Sequence, residues 1–451
     1  MSIIKNIDTL VTTKSRRHVL EIVEAGIVSV LPENLLKRAV QFEKTKKILT
    51  VNNNAFDLSA GRIFVIGGGK ADGLMAQILE EIVGAENITS GTVNSKGRIP
   101  KTEKIKVIIA GHPVPDECGL AGVNEMLALK QRYSINENDV IIALISGGGS
   151  ALMPCPIAGI SLADKQTITD LLIKSGAEIS EINTIRKDLS QVKGGKLGWY
   201  FNPARVISLI ISDVIGNDLT VIASGPTVPD ESTFNDARDI LQRYRLFDRV
   251  PESVTTLLAK GCRGEVEETC KTLNNCYNYI IGDNQLALEA MLDKATTIGY
   301  NACIITAEQK GDVEEAARMR AREITGGKYR GHDILLIGGE TTVRLPGKAG
   351  KGGRNQHYAA VSMTAMAGYP EDWVMASAGT DGSDFIPDIA GAVVDSDTLE
   401  TARRKNIDVK SYLDRYDSYT LLEQIGNSLV VTGDTGTNVG DVIVYLKSRE
   451  V

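Results

Sequence analysis

The sequence predicts an α/β protein of two domains, the first built on a parallel sheet covered by helices on both faces and the second smaller. Three observations point there. Apolar strand-like runs alternate with helical periodicity along most of the chain. Several of those runs pass directly into glycine-rich loops, as buried parallel strands do where they open onto a ligand crevice. A chain of 451 residues with 43% hydrophobic content also exceeds what one core normally holds.

Taken in order, residues 7–55 carry helical periodicity, with Val19, Ile22, Val23 and Ile27 on one face and a second amphipathic piece over 35–42. Strands then read at 63–66, 107–110, 140–145 and 206–211, and helices at 71–83, 121–132, 162–175 and 183–192. This is the rhythm of a Rossmann-like fold. Between Pro226 and Asn275 the texture changes, with Pro229, Pro251 and a polar stretch at 261–272, and the domain junction is expected there. The domains are accordingly set at 1–250 and 251–451. Beyond the junction the alternation restarts at 277–281, 285–298, 301–306, 313–324 and 333–337; a helix after Arg354 and strands at 374–377 and 441–446 complete the second domain.

Composition excludes several classes of function. A net charge of −7 without a long basic run argues against nucleic acid as a partner. The six cysteines form neither CxxC pairs nor a dense framework, so they read as reduced structural thiols. No signal-peptide pattern opens the chain and no apolar run approaches the ~20 residues that span a bilayer, so a soluble cytoplasmic protein, monomer or homodimer, is expected.

The chemistry concentrates in loops after strands. Val140-Ile-Ile-Ala-Leu-Ile-Ser-Gly-Gly-Gly-Ser150 joins an apolar run to three glycines between two serines, and Arg62-Ile-Phe-Val-Ile-Gly-Gly-Gly-Lys70 repeats the design with a lysine after the glycines. Backbone N–H groups in such turns can approach an anion closely, which makes Gly67, Gly68, Gly69, Ser146, Gly147, Gly148, Gly149 and Ser150 candidate phosphate- or nucleotide-binding residues. Neither loop has the order of a Walker P-loop. The first also fails as a dinucleotide fingerprint, because Asp72 stands where the last glycine belongs.

The loops taken together resemble the glycerate 2-kinase family. The resemblance rests on Gly-Gly-Gly-Lys-Ala at 67–71, Gly-His-Pro-Val-Pro-Asp at 111–116, Ser-Gly-Gly-Gly-Ser-Ala-Leu at 146–152, Ile182-Asn-Thr-Ile-Arg-Lys-Asp-Leu-Ser-Gln-Val-Lys-Gly-Gly-Lys-Leu197, Ser-Asp-Val-Ile-Gly-Asn at 212–217 and Ala-Ser-Gly-Pro-Thr at 223–227. Gly-Gly-Glu-Thr-Thr at 338–342, Gly-Gly-Arg-Asn-Gln at 352–356 and Ala-Gly-Thr-Asp-Gly-Ser at 378–383 resemble that family's carboxyl-terminal MOFRL region, placed at about 330–446. Two departures are Asp188, where His is common, and Asn217, where Gly is common. The resemblance implies transfer of the ATP γ-phosphoryl group to the 2-hydroxyl of D-glycerate, with ATP and Mg²⁺ as cofactors and the active site in an interdomain cleft.

Two cations stand at helix starts, where the helix dipole disfavours them: Lys70 after Gly69, and Arg354 between Gly353 and Asn355. Both are candidates to neutralise a transferring phosphoryl group. Arg186, Lys193 and Lys196 form either a water-facing charged stripe or, with Asn355, the substrate anchor. Asp213 is a candidate to orient the substrate hydroxyl or to hold Mg²⁺, with Glu340 and Asp381 as rivals for the metal; all three residues equally suit loop capping. His112, between Gly111 and Pro113, reads as a turn former rather than a base. The competing functions are a hydroxypyruvate reductase and a non-catalytic sensor of sugar acids or phosphates.

Overall fold

The computed structural model describes residues 2–97, 99–345 and 347–447. The chain divides into two compact units: Leu35–Ile281, and the residues up to Asn34 together with those from Gly282 onward.

The Leu35–Ile281 unit opens with a small antiparallel sheet, β1 (Val40–Glu43), β2 (Ile48–Val51) and β3 (Asn54–Asp57), where helical periodicity was expected. Leu49, Val51 and Phe56 are buried from this sheet, and Asn52 and Asn53 turn the chain with φ of 45° and 69°. An Asn-Asn pair supports the left-handed backbone a tight hairpin needs, and this outweighs a helical reading of so short a stretch.

The main sheet of this unit holds β4 (Ile63–Gly68), β5 (Ile88–Ser95), β6 (Ile105–Ile109), β7 (Val140–Ile145), β8 (Arg205–Ile211) and β9 (Cys276–Gly282), in the order β6-β5-β4-β7-β8-β9. The pairs from β6 to β8 are parallel. Every residue of β4 and β7 is buried, which accounts for their unbroken apolar runs. The sequence reading passed over β5, whose Thr92, Asn94 and Ser95 are polar yet buried. Asn94 explains the tolerance: its amide donates to the carbonyls of Gly119 and Leu152 at 2.8 and 2.7 Å.

Helices run close to their expected positions, at Asp72–Val83, Glu117–Arg132 and Leu162–Lys174. The helix expected at 183–192 lies instead at Ile179–Asp188, started by a capping box between Glu178 and Glu181. The expected junction at 226–275 is not one. Its helices Phe234–Arg243 and Glu252–Cys262 share an apolar core with Ile168, Leu172, Ile182 and Ile185, so the stretch is a helical layer of the first unit.

The other unit is a mixed sheet of β10 (Ala302–Gln309), β11 (Ile334–Gly339), β12 (Trp373–Gly379), β13 (Ile389–Asp395), β14 (Leu429–Val431) and β15 (Asp441–Lys447), ordered β10-β11-β15-β12-β13-β14. The domain bounds 1–250 and 251–451 are thereby corrected at both ends. The amino-terminal helix Lys14–Ser29 packs against the helix Asn284–Thr297 and against β12 and β15, because its buried face of Val19, Ile22, Val23 and Ile27 finds its apolar partners there.

Candidate active site

The carboxyl ends of β4 and β7 lie side by side, with Gly68 opposite Ile145, so the two glycine loops emerge together. They interlock. The Lys70 N–H donates to the Gly147 carbonyl at 2.9 Å and the Ala71 N–H to Ser146 Oγ at 3.0 Å. Ser146 in turn donates its hydroxyl to Asp72 Oδ1. Gly149 lies so close to the first loop that a Cβ there would fall 2.4 Å from the Gly68 carbonyl oxygen. Gly148, in the left-handed region with φ of 82°, faces Lys70 Cγ and the His112 ring; a Cβ added to it would lie 3.2 Å from the former and 3.0 Å from His112 Nε2.

The expectation of two anion cradles needs revision. The N–H groups of Gly69, Lys70 and Ala71 are all engaged inside the protein, so Gly67, Gly68 and Gly69 build a floor against which the second loop is set. Ser146 is buried and occupied by Asp72. What the first loop offers is Lys70, whose Cγ lies beside Gly148 as the His112 ring does. Asp72 is fully buried with Oδ2 lacking a hydrogen-bond partner, and burial pushes its carboxyl up to about 7.

The far end of the second loop meets the helix Ile179–Asp188 and its glycine exit. Lys193 Nζ donates to the Ser150 carbonyl at 3.0 Å. The Ser150 and Ser224 hydroxyls are 2.7 Å apart, Ser224 donates to Asn183 Oδ1 at 3.1 Å, and Arg186 Nη1 reaches that oxygen at 3.5 Å. Burial lowers both the Lys193 and the Arg186 pKa. Lys196 is turned elsewhere: it donates to the carbonyls of Lys187 and Ser190 at 3.1 and 2.8 Å and neighbours Asp188, whose carboxyl burial raises to about 7. Asp213 follows β8 in the half-exposed loop before Val214.

In the other unit, antiparallel β15 runs between β11 and β12, and the register sets Asp441 opposite both Gly339 and Gly379. This brings a carboxylate to the end of the sheet where the loops after β11 and β12 emerge. Arg354, first residue of the helix Arg354–Ala365, donates through Nε to Asp441 Oδ2 at 2.6 Å and through Nη2 to Oδ1 at 3.0 Å, while Nη1 reaches Glu340. Although burial opposes its charge, Asp441 and Glu340 hold the Arg354 pKa above its usual value. The helix start is capped by Asp384, which accepts from the N–H groups of Asn355 and Gln356 at 3.0 and 2.8 Å.

Asn355 is buried and fully committed. Its amide donates to Asp441 at 2.8 Å and to Asp384 at 3.3 Å, and its oxygen accepts from Ser377 at 2.6 Å. It braces Asp441, which holds Arg354. Asp381 accepts from the Ser383 N–H at 3.0 Å, a loop-capping arrangement. Among the described residues no group of three or more His, Cys, Asp or Glu side chains is placed to hold a metal ion. The sequence reading missed Asp441, Asp384 and Lys165. Lys165 carries a visible signal, since it occupies the buried stripe of Leu162, Ile168 and Leu172 on its helix.

Residues 18–259 match a family model described as a domain of unknown function, DUF4147, and residues 333–441 match the MOFRL family. A glycerate 2-kinase of Pyrococcus horikoshii is 42% identical over 433 residues, covering 95% of this chain and 96% of its own. The chain belongs to the glycerate kinase family. The crystal structure of a glycerate kinase from Thermotoga maritima superimposes with a TM-score of 0.83 at 37% identity, over 96% of this chain and 99% of that one. A relative from Agrobacterium vitis, 38% identical over 86% of this chain and 99% of its own, bears the name putative hydroxypyruvate reductase. The DUF4147 match starts within the helix Lys14–Ser29, so the family's sequence bounds do not coincide with the compact units. No helix among the described residues is long and apolar enough to cross a membrane.

Proposed function

We propose that this protein transfers the γ-phosphoryl group of ATP to the 2-hydroxyl of D-glycerate, giving 2-phosphoglycerate and ADP. The observation that carries the reading is 42% identity, across 95% of the chain, to a protein named glycerate 2-kinase. The local chemistry agrees with it. Phosphoryl transfer depends chiefly on positioning and on neutralising charge at the transferred group. Lys70, whose Cγ lies beside Gly148, and Arg354, held by Asp441 and Glu340, supply two cations for it.

In this reading the backbone of Gly147, Gly148 and Ser150 receives phosphate oxygens, with Gly67, Gly68, Gly69, Ser146 and Gly149 setting its position. Arg186 and Lys193 hold the acid group of glycerate. Asp213 orients the 2-hydroxyl and takes its proton as that oxygen forms a bond to the γ-phosphorus, while the bond from phosphorus to the bridging oxygen breaks and ADP leaves. Exclusion of water from around ATP and glycerate would suppress competing hydrolysis of the γ-phosphoryl group. Magnesium would arrive with the nucleotide, given the lack of a preformed carboxylate cluster among the described residues; when bound it would supply charge neutralisation at the phosphates. The reductase alternative is not favoured, since Asp72 buries a carboxyl group where a dinucleotide fingerprint needs its third glycine.

The test is a coupled assay with ATP, D-glycerate and enolase but no phosphoglycerate mutase. Appearance of phosphoenolpyruvate identifies the 2-phosphate as product. A signal that appears only after mutase is added shows phosphorylation at the 3-hydroxyl, and no ADP formation removes the kinase reading.

A further inference from the structure

Around the far end of the second glycine loop the protein gathers more positive charge than it offsets. Lys165 is buried in the helix Leu162–Lys174, and its Nζ has no hydrogen-bond partner. Lys193 is buried as well, with the Ser150 carbonyl as its acceptor at 3.0 Å. Arg186 reaches the Asn183 side chain at 3.5 Å. The backbone brings these groups together. The Ile157 N–H donates to the Leu189 carbonyl at 3.1 Å and the Gln191 N–H to the Cys155 carbonyl at 2.8 Å, which sets Cys155 beside the segment leading to Lys193. Ile168 and Leu172 on the Lys165 helix share an apolar core with Ile182 and Ile185 on the Arg186 helix.

Lys165 and Arg186 each repel Lys193, and Arg186 and Lys196 repel Lys165. Among the described residues the group that offsets both lysines is the Cys155 thiol, and burial raises its own pKa, so at neutral pH it carries no charge. Burial and these neighbours push the Lys165 ammonium down to about 7. Buried cations are ordinarily paired, and an ammonium without an acceptor is costly to retain unless a ligand completes it.

We propose that Lys165, Lys193 and Arg186 form a buried pocket for one carboxylate, and that this pocket seats the acid group of the phosphoryl acceptor. The assignment rests on the glycerate reading above and adds Lys165 to it, in place of Lys196 and Asn355. Position selects the carboxylate over the nucleotide phosphates. Lys193 anchors to Ser150 at one end of the loop, whereas Lys70 lies over Gly148 nearer the other. In a 2-hydroxy acid the carboxylate and the reacting hydroxyl sit on adjacent carbons, so an acid group held at Ser150 leaves the hydroxyl within the short span of this loop. The pocket therefore makes the protein selective for short 2-hydroxy carboxylates over the corresponding uncharged polyols.

The test is Lys165→Met, with D-glycerate and ATP titrated separately by calorimetry. Affinity for D-glycerate is expected to fall roughly 10- to 100-fold, the worth of a charge-assisted hydrogen bond, with ATP affinity unchanged. The ligand-free variant should melt no lower than the parent, because a buried unpaired ammonium has been replaced by an apolar chain of similar shape. At pH 8, glycerate binding to the parent should take up protons, read from buffers of different ionisation enthalpy, and the variant should take up fewer; Lys193, whose pKa burial also lowers, remains beside Cys155, Arg186 and Lys196. Unchanged glycerate affinity overturns the pocket, and so does a loss confined to ATP, which would make it a phosphate site. A parent that phosphorylates glycerate while the variant binds it normally sinks the pocket and leaves the reaction standing. A parent that binds glycerate through Lys165 without turnover does the reverse. Lys165→Gln serves if the methionine variant fails to fold.

Discussion

Asp441, the first residue of the strand between β11 and β12, holds Arg354 by two contacts of 2.6 and 3.0 Å, from its Oδ2 to Nε and from its Oδ1 to Nη2. The Nε edge is thus occupied and Nη1 is engaged by Glu340, so what the arginine can offer a phosphate is the remaining N–H of each terminal nitrogen. Arg354→Ala is expected to lower turnover on the order of 10²–10³-fold, as for loss of a donor that stabilises transition-state charge. Arg354→Lys should not rescue it, since an ammonium cannot fill both positions of the fork. Asp441→Asn should lower kcat on the order of 10²-fold through misplacement alone. Steady-state kinetics check all three, and parent-like turnover in Arg354→Ala removes its assigned role.

Lys70→Ala should cost turnover on the same order of 10²–10³-fold with the thermal midpoint held within a few degrees. Its backbone N–H, which carries the contact to Gly147, is retained in the variant. A loss of folding instead of a loss of rate would assign Lys70 to structure.

Gly148→Ala tests the knot between the loops. The added methyl meets a φ of 82° and the Lys70 and His112 side chains at once, and a non-glycine residue there carries a strain of roughly 1–2 kcal/mol. A fall of at least about tenfold in kcat/KM is expected, checked by kinetics alongside urea unfolding. Kinetics indistinguishable from the parent would mean that Gly148 does not control Lys70.

Asp72 makes stability depend on pH in a definite direction. Its folded-state pKa, about 7, lies above the ordinary 3.8, so the folded protein binds more protons than the unfolded chain between those values and stability falls as pH rises through that window. Asp72→Asn keeps an oxygen to accept from Ser146 and loses the titration. Urea midpoints at pH 5 and pH 8 should therefore converge in the variant relative to the parent, and equal pH dependence in both would exclude this carboxyl as the source.

Chelation of divalent cations should abolish turnover, yet calorimetry should detect no Mg²⁺ binding to the protein without nucleotide, because no carboxylate cluster among the described residues is ready to receive it. Tight nucleotide-free binding of Mg²⁺ would point back to Asp213, Glu340 or Asp381.

The parallel sheet was legible because β4 and β7 are buried on both faces and so read as unbroken apolar runs. β5 was not, since its polar residues are satisfied by distant partners such as the Gly119 and Leu152 carbonyls, which a sequence does not display. Lys70 and Arg354 stood out through their misfit with the helix dipole. Asp441 did not, because an aspartate opening an apolar strand takes on meaning only once antiparallel register sets it between Gly339 and Gly379. Lys165 was within reach: a lysine at an apolar position of a helical stripe is a local inconsistency of the kind that marks sites. Nor does the sequence display the neighbours that engage Asn355 and Lys196, which lie at Asp441, Ser377, Lys187 and Ser190.

The strand that carries Asp441 occupies the middle of its sheet although it is the last strand in the chain, and the same unit draws its first helices from the other extremity. During synthesis, Leu35–Ile281 is a contiguous stretch able to fold as soon as it emerges. Its companion must wait: until residues 441–447 are made, β11 and β12 have no strand between them and Arg354 has no aspartate to hold it. A chain that lacks residues 441–447 would thus keep one finished unit and an arginine without its anchor.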